Sequence, residues 1–238
     1  MVQINEANAP FDKPRPLRIC FQKTGALQYV SHLDLVRTMT RVIARAQLPI
    51  KYTEGFHPIP HLVFSAPLPV GAQSPREFLD IAVLSEVDLE GVKASLNEGL
   101  PAGLAVSEVY YPTTKFKEIV SGEYEIRMHV AQASASLADA CVAALSEKPI
   151  TVCKRTKGGE RDVDVSPSIL GVRGNYDATC GEVVVAVRLA ATGGNFLNPD
   201  YLIGYLREKI GILCGSLAEE WYTVVRTGLF CENGEMFS

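Results

Sequence analysis

Apolar residues along the chain fall into short alternating runs and a few stripes of helical period, the two patterns that separate strands from helices. Residues 1–14 are polar, broken by Pro10 and Pro14, and read as a flexible arm. Residues 17–21 then read as a strand, followed by a turn at Lys23-Thr24-Gly25 and, over 26–30, the approach to a helix capped by Ser31. Asp34 stands three residues on, where its carboxylate can bond the first free amides. Leu35, Met39, Val42, Ile43 and Ala46 make one helical stripe, which predicts packing on a sheet. Arg37, Arg41 and Arg45 repeat at i, i+4 and i+8, so they share another face, aimed at solvent or a ligand and without acidic partners.

Pro49 closes that helix. Residues 50–53 and 62–66 are predicted as strands around the loop Glu54-Gly55-Phe56-His57-Pro58-Ile59-Pro60-His61, which its glycine and prolines constrain. A strand at 78–83, a helix at 87–98 and a strand at 104–111 complete the order β-α-β-β-α-β. The second half repeats the logic with a strand at 124–130, a helix at 134–145, strands at 150–154, 162–165 and 183–190, and a helix from Pro199 capped by Asn198. Leu202, Ile203, Leu206 and Ile210 form the apolar face of that last helix. The expected fold is α+β: two ferredoxin-like lobes in tandem, 15–115 and 116–238, with mostly antiparallel sheets and helices packed on one face.

Of 238 residues 47% are apolar and 21% charged, a balance that lets each of two lobes bury a core. No stretch reaches the roughly eighteen apolar residues of a membrane helix, and the polar start lacks the apolar block of a secretion signal. The chain is therefore expected in the cytoplasm, away from membranes. Cys20, Cys141, Cys153, Cys180, Cys214 and Cys231 form neither a CxxC pair nor the triplet of an iron–sulfur cluster, and most are expected to be small buried residues. The formal charge of −4 conceals an asymmetry, because residues 12–61 hold eight Lys or Arg against three acids. A basic segment in an acidic body suits local binding of a polyanion.

The segment Tyr29-Val30-Ser31-His32-Leu33-Asp34-Leu35, the arginine row, Leu48-Pro49, Tyr52-Thr53-Glu54-Gly55-Phe56-His57-Pro58-Ile59-Pro60 and Ala66-Pro67-Leu68-Pro69-Val70-Gly71 resemble the radical-SAM-linked domain family. The resemblance is strong over 17–83 and weaker afterwards, at Asp162-Val163-Asp164-Val165 and Arg226-Thr227-Gly228-Leu229. It implies a domain found beside or fused to cobalamin-binding radical SAM proteins, hence such a protein as partner. The family's usual setting near ribonuclease and ribosomal-protein genes points to RNA. The resemblance implies no settled reaction, and the Ser-His-Leu-Asp segment and the Gly-Phe-His-Pro loop are the positions to which function transfers. Without three clustered cysteines, this chain leaves radical chemistry to the partner.

Candidate binding residues are Ser31, His32, Arg37, Arg41, Arg45, Lys51, Phe56 and His57, joined by Lys154 and Arg155 at a basic hairpin tip with Lys157 and Arg161. If that tip faces the arginine helix, the two make a positive cleft. Candidate catalytic residues are His32, which opens a helix beside its free amides, Asp34 and His57. His57 and His61 are spaced to hold a metal on a helix, but Pro58 and Pro60 forbid a helix there, so no metal or cofactor is expected. No GxxxxGK[ST], GxGxxG or GxSxG motif is present. Three functions follow. A non-catalytic accessory module that binds RNA or another anionic substrate for a partner enzyme is preferred. The others are a metal-independent endoribonuclease like the CRISPR repeat-processing enzymes, with His32 as base, and a docking scaffold for the radical SAM protein.

Overall fold

The computed structural model describes residues 10–156, 159–191 and 196–238, with the backbone alone at Arg155 and Thr156. The chain divides into two compact units, residues 1–116 with Ser238 and residues 117–237. The class is α+β, with antiparallel pairing throughout the strand ladders described. Among the described residues no helix is long and apolar enough to cross a membrane.

The first unit runs β1 (Pro10–Lys23), α1 (His32–Arg45), β2 (Leu62–Phe64), β3 (Ala72–Ser85), α2 (Leu89–Gly99) and β4 (Leu104–Tyr110), with strand order β4-β1-β3-β2. Alternation sets the core. Leu17, Ile19 and Phe21 of β1 and Leu79, Ile81 and Val83 of β3 point to one face, and the register pairs Leu17 with Ile81 and Ile19 with Leu79. Onto that face fall Leu35, Met39, Val42 and Ile43 of α1 and Val92 and Leu96 of α2, all buried. Each such side chain contributes about 1.5–3 kcal/mol by leaving water.

Three expectations change. The strand read from residue 17 begins at Pro10, paired with Ser85 across an irregularity, so positions 10–14 are strand rather than arm; residues 1–9 lie outside the described residues. Residues 25–29 form a separate 3-10 turn, because Ser31 takes the extended backbone of a cap and starts α1 afresh. The strands expected at 50–53 and 62–66 become one interrupted edge. Pro49, Ile50 and Lys51 lie along β3 at Leu84, Val83 and Ala82, the chain leaves for an excursion over 52–61, and pairing resumes at Leu62 opposite Ile81. The excursion closes on itself through Thr53 N to Ile59 O (2.8 Å), Ile59 N to Thr53 Oγ1 (3.1 Å) and His61 N to Lys51 O (3.2 Å).

The second unit runs β5 (Ile119–His129), α3 (Ala135–Ser146), β6 (Thr151–Thr156), β7 (Gly159–Asp164), β8 (Ile169–Asp177), β9 (Glu182–Ala190), α4 (Asp200–Ile210) and β10 (Trp221–Cys231). Its sheet has the order β10-β5-β9-β8, and β6 and β7 pair apart as the expected hairpin. Tyr124, Ile126 and Met128 of β5 and Val183, Val185, Val187 and Leu189 of β9 are buried, as are Ala138, Cys141 and Leu145 of α3 and Leu202, Ile203 and Leu206 of α4. Ile210, expected with that face, is half-buried as the last residue of α4, just before the left-handed cap at Gly211. The helix begins one residue later than expected, at Asp200, whose amide donates to Asn198 Oδ1 at 3.1 Å. Two strands escaped the sequence reading, β8 and β10. Of the cysteines only Cys20 and Cys141 are buried, with Cys141 pushed up to about 11 by burial; Cys153, Cys180 and Cys214 are exposed, on a ribbon, a turn and a loop that no apolar layer covers.

Candidate functional site

The face that carries most of the candidate residues is α1. Ser31 caps it: its Oγ accepts from Asp34 N at 3.2 Å and donates to Asp34 Oδ2 at 2.7 Å. Arg37 Nη1 then donates to Asp34 Oδ1 at 3.0 Å. The Ser31 hydroxyl, and after it the Arg37 guanidinium, hold the Asp34 carboxyl below the usual carboxylate range. Asp34 is thus an ionised capping acid, occupied by its own helix. Arg37 corrects the expectation of three arginines without acidic partners, since one turn of helix brings Asp34 within reach. Arg41 and Arg45 do meet it: both are exposed, and neither has a carboxylate within ion-pairing distance among the described residues.

Rotation about the helix axis separates the candidates into two groups. At 3.6 residues per turn, His32 and Arg41 point about 180° apart. His32 sets its ring edge-on to Phe64 of β2, centroids 5.2 Å apart, and Phe64 in turn meets Phe21 at 6.3 Å. On this flank the excursion leaves the sheet edge only two residues before Phe64, roughly 7 Å along the strand. Lys51, at its base, and His57 are exposed, and Phe56 is fully so at 102%. Arg45 belongs to the other flank, where it lines a cleft with Glu98 and Ser95 of α2. The helix therefore sets His32 on the flank where the histidine loop leaves the sheet edge and turns Arg41 and Arg45 away from His32.

Lys154 stands on β6 in the second unit, paired with Arg161 across the hairpin, its Nζ 5.4 Å from the centre of the Tyr201 ring. That cation–π contact ties it to α4 of its own unit. Only the backbone of Arg155 is described, paired with Glu160, and Lys157 lies outside the described residues. Among the described residues no group of three His, Cys, Asp or Glu is gathered where a metal ion could sit.

The basic excess of 12–61 is partly internal, which the sequence reading missed. Arg18 is fully buried, its Nε and Nη2 donating to Asp80 at 2.8 and 2.9 Å, its Nη1 to Thr114 Oγ1 at 2.7 Å, with the Phe116 ring 4.5 Å from the guanidinium. Lys23 is buried and donates to the Gln28 carbonyl at 3.1 Å. Six exposed cations against three exposed carboxylates remain, Lys13, Arg15, Arg37, Arg41, Arg45 and Lys51 against Asp12, Asp34 and Glu54. A second missed feature is apolar. Tyr29 and Val70 are 70% and 50% exposed on adjoining segments, joined by Gly71 N to Gln28 O at 2.8 Å, and Leu33, in the first turn of α1, is 58% exposed. Both segments belong to the motifs that carried the family resemblance.

Among solved structures, the chain is similar to one in the crystal structure of a Cbf5-Nop10-Gar1 complex, with a TM-score of 0.45 and 12% identity over 96% of this chain and 57% of that one. A manganese complex of a DypB variant gives a TM-score of 0.18 at 10% identity, over 89% and 93% of the two chains. DyPB from Rhodococcus jostii RHA1 gives 0.18 at 9%, over 89% and 92%. The chain spans little more than half the length of the first of these, and none of the curated proteins matches it. The model of one family, uncharacterized proteins conserved in bacteria (DUF2344), matches residues 16–199, well over half the chain, and the chain belongs to that family.

Proposed function

We propose that the chain is a non-catalytic accessory module that holds RNA, or a comparable anionic substrate, on the exposed arginine face of α1 for a partner enzyme. The observation that carries this reading is a contrast. Arg18, Arg37, Arg76, Arg127, Arg173 and Arg188 each meet a carboxylate, whereas Arg41 and Arg45, one turn apart on a single exposed face, do not. Cations about 6 Å apart along a helix, without internal partners, offer a short row of contacts to successive phosphates. Titration of a labelled single-stranded oligoribonucleotide tests this: two to three phosphate contacts predict affinity falling about 7- to 18-fold as salt rises from about 50 to about 200 mM. The variant Arg41→Ala/Arg45→Ala should lose most of that salt dependence. Binding that is unchanged in it would overturn the reading.

The strand orders β4-β1-β3-β2 and β10-β5-β9-β8, each with two helices between its strands, support reading both units as ferredoxin-like lobes, near 15–115 and 116–238. A cobalamin-binding radical SAM protein is the proposed partner, and the exposed Tyr29, Leu33 and Val70 supply its contact, since apolar side chains grouped on a surface mark an interaction site. Co-purification that survives nuclease and is lost in Leu33→Asp would favour this contact; unchanged co-purification in that variant would exclude it. The endoribonuclease reading asks for an Arg or Lys beside the His32 base: Arg41 points the opposite way, Lys51 lies on the His32 flank, and the His32 ring is set against Phe64.

A further inference from the structure

The arginine row does not end on open surface. Arg45, with Val42 and Gln47, forms one wall of a cleft of about 280 Å³ whose other wall is Ser95, Glu98 and Gly99, where the C-terminal ends of α1 and α2 meet. The helices approach closely here. A Cβ built on Gly99 would come within 3.2 Å of Val42 Cγ1, so a side chain at Gly99 would press on the α1 wall. Gln47 has a φ of 50°, a left-handed backbone for which glycine is the usual residue after a helix end, and it brings an amide to the rim instead.

The two charges of the cleft make it selective. Glu98 is exposed and, among the described residues, has no cation within ion-pairing distance, although Arg45 lines the same cleft. A bare phosphate suits only one wall, because Glu98 and the negative ends of two helices oppose it. A ligand that satisfies both walls brings an anion to Arg45 and N–H donors to Glu98.

We propose that this cleft takes the base of one unpaired nucleotide that carries an exocyclic amino group, with its phosphate on Arg45 and the preceding phosphate on Arg41. This rests on the nucleic-acid reading of the arginine row and names which nucleotides that row retains. The volume is near the lower end of small-molecule sites, about 300 Å³, room for a single heterocycle. A carboxylate accepts from the amino group of cytosine, whereas uracil, of the same size, presents a carbonyl oxygen at that position and can offer only its ring N–H, flanked by two carbonyl oxygens, so it is held less well.

The test is fluorescence anisotropy with labelled oligo(C) and oligo(U) of equal length, on the whole chain and on Glu98→Ala and Arg41→Ala/Arg45→Ala. The native protein should bind oligo(C) about tenfold more tightly than oligo(U), a preference within the range of one good base contact. Glu98→Ala should abolish that preference while leaving oligo(U) affinity the same or higher, and the double arginine variant should weaken both oligomers alike. Equal binding of the two oligomers by the native protein, or a preference that survives in Glu98→Ala, would overturn the cleft assignment while the arginine row stands. Failure of the native protein to bind either oligomer would remove the row and the cleft together.

Discussion

The arginines of the β5–β9–β8 sheet and those of α1 are the same residue put to opposite uses. On the sheet, Arg127 reaches Glu125 at 3.0 Å and Asp177 and Glu182 at 3.2 Å, and Arg173 takes both oxygens of Glu123 at 2.8 Å. On α1 a carboxylate is spent on Arg37 alone, through Asp34, and Arg41 and Arg45 stand in water. A guanidinium surrounded by its own carboxylates is neutralised and ordered before any ligand arrives, so it serves the fold. One left without them keeps its charge for something outside the chain.

Substitutions break this comparison in order of size. The largest effect belongs to the interior pair. Asp80→Ala strips a fully buried Arg18 of its bidentate partner and should cost about 3–5 kcal/mol in urea unfolding. A loss below about 1 kcal/mol would mean that Thr114 and solvent suffice. Glu123→Ala should cost about 1–2 kcal/mol, because Arg173 is exposed and water takes up part of the lost bond.

The same carboxylate has a pH signature. Arg173, by its hydrogen bonds, holds Glu123 below its ordinary value of 4.5, so its stabilising contribution is complete above that value. It is lost as pH falls through the lowered folded value. Unfolding midpoints taken from pH 6 downward should drop less steeply in Glu123→Gln than in the native chain; parallel curves would show that the pair is not linked to stability. Ser31→Ala, which removes the α1 cap, should cost about 1 kcal/mol. The smallest effect is the most telling. Arg41→Ala/Arg45→Ala should move stability by under about 0.5 kcal/mol while reducing oligonucleotide binding. A larger loss of stability would show that these arginines also serve the fold.

The order of elements was legible because its signals are local. Ser31 and Asp34 are a capping pair in sequence and in space, and the stripe Leu35, Met39, Val42 and Ile43 is the buried face of α1. The missed strands differ from each other. β10 opens with Trp221-Tyr222-Thr223-Val224-Val225, an aromatic and β-branched run that announces a strand. β8 holds Gly171 and Gly174 and is strand because β9 pairs with it along its length, a long-range cause without a local mark. Arg18 could not be placed from sequence either. Its partner Asp80 lies 62 residues away and meets it only through the β1–β3 register, where the two stand directly opposite. In the candidate site, spacing along α1 gave the shared face of the arginines. It did not say that His32 looks the other way, because Phe64, which receives its ring, comes from a distant strand.

The border of the first sheet at β2 has a further consequence. Its unpaired amides and carbonyls could recruit a strand from another molecule, and the detour over 52–61 cuts that border into two pieces of three residues each. Neither is long enough to zip onto a neighbour, and Pro58 and Pro60 deny the detour two of the donors such pairing needs. The loop that displays Phe56 and His57 thus doubles as a guard against sheet-to-sheet polymerisation. Deleting 52–61, so that Lys51 runs straight into Leu62 along β3, would restore one six-residue edge and produce a chain that scatters light on standing.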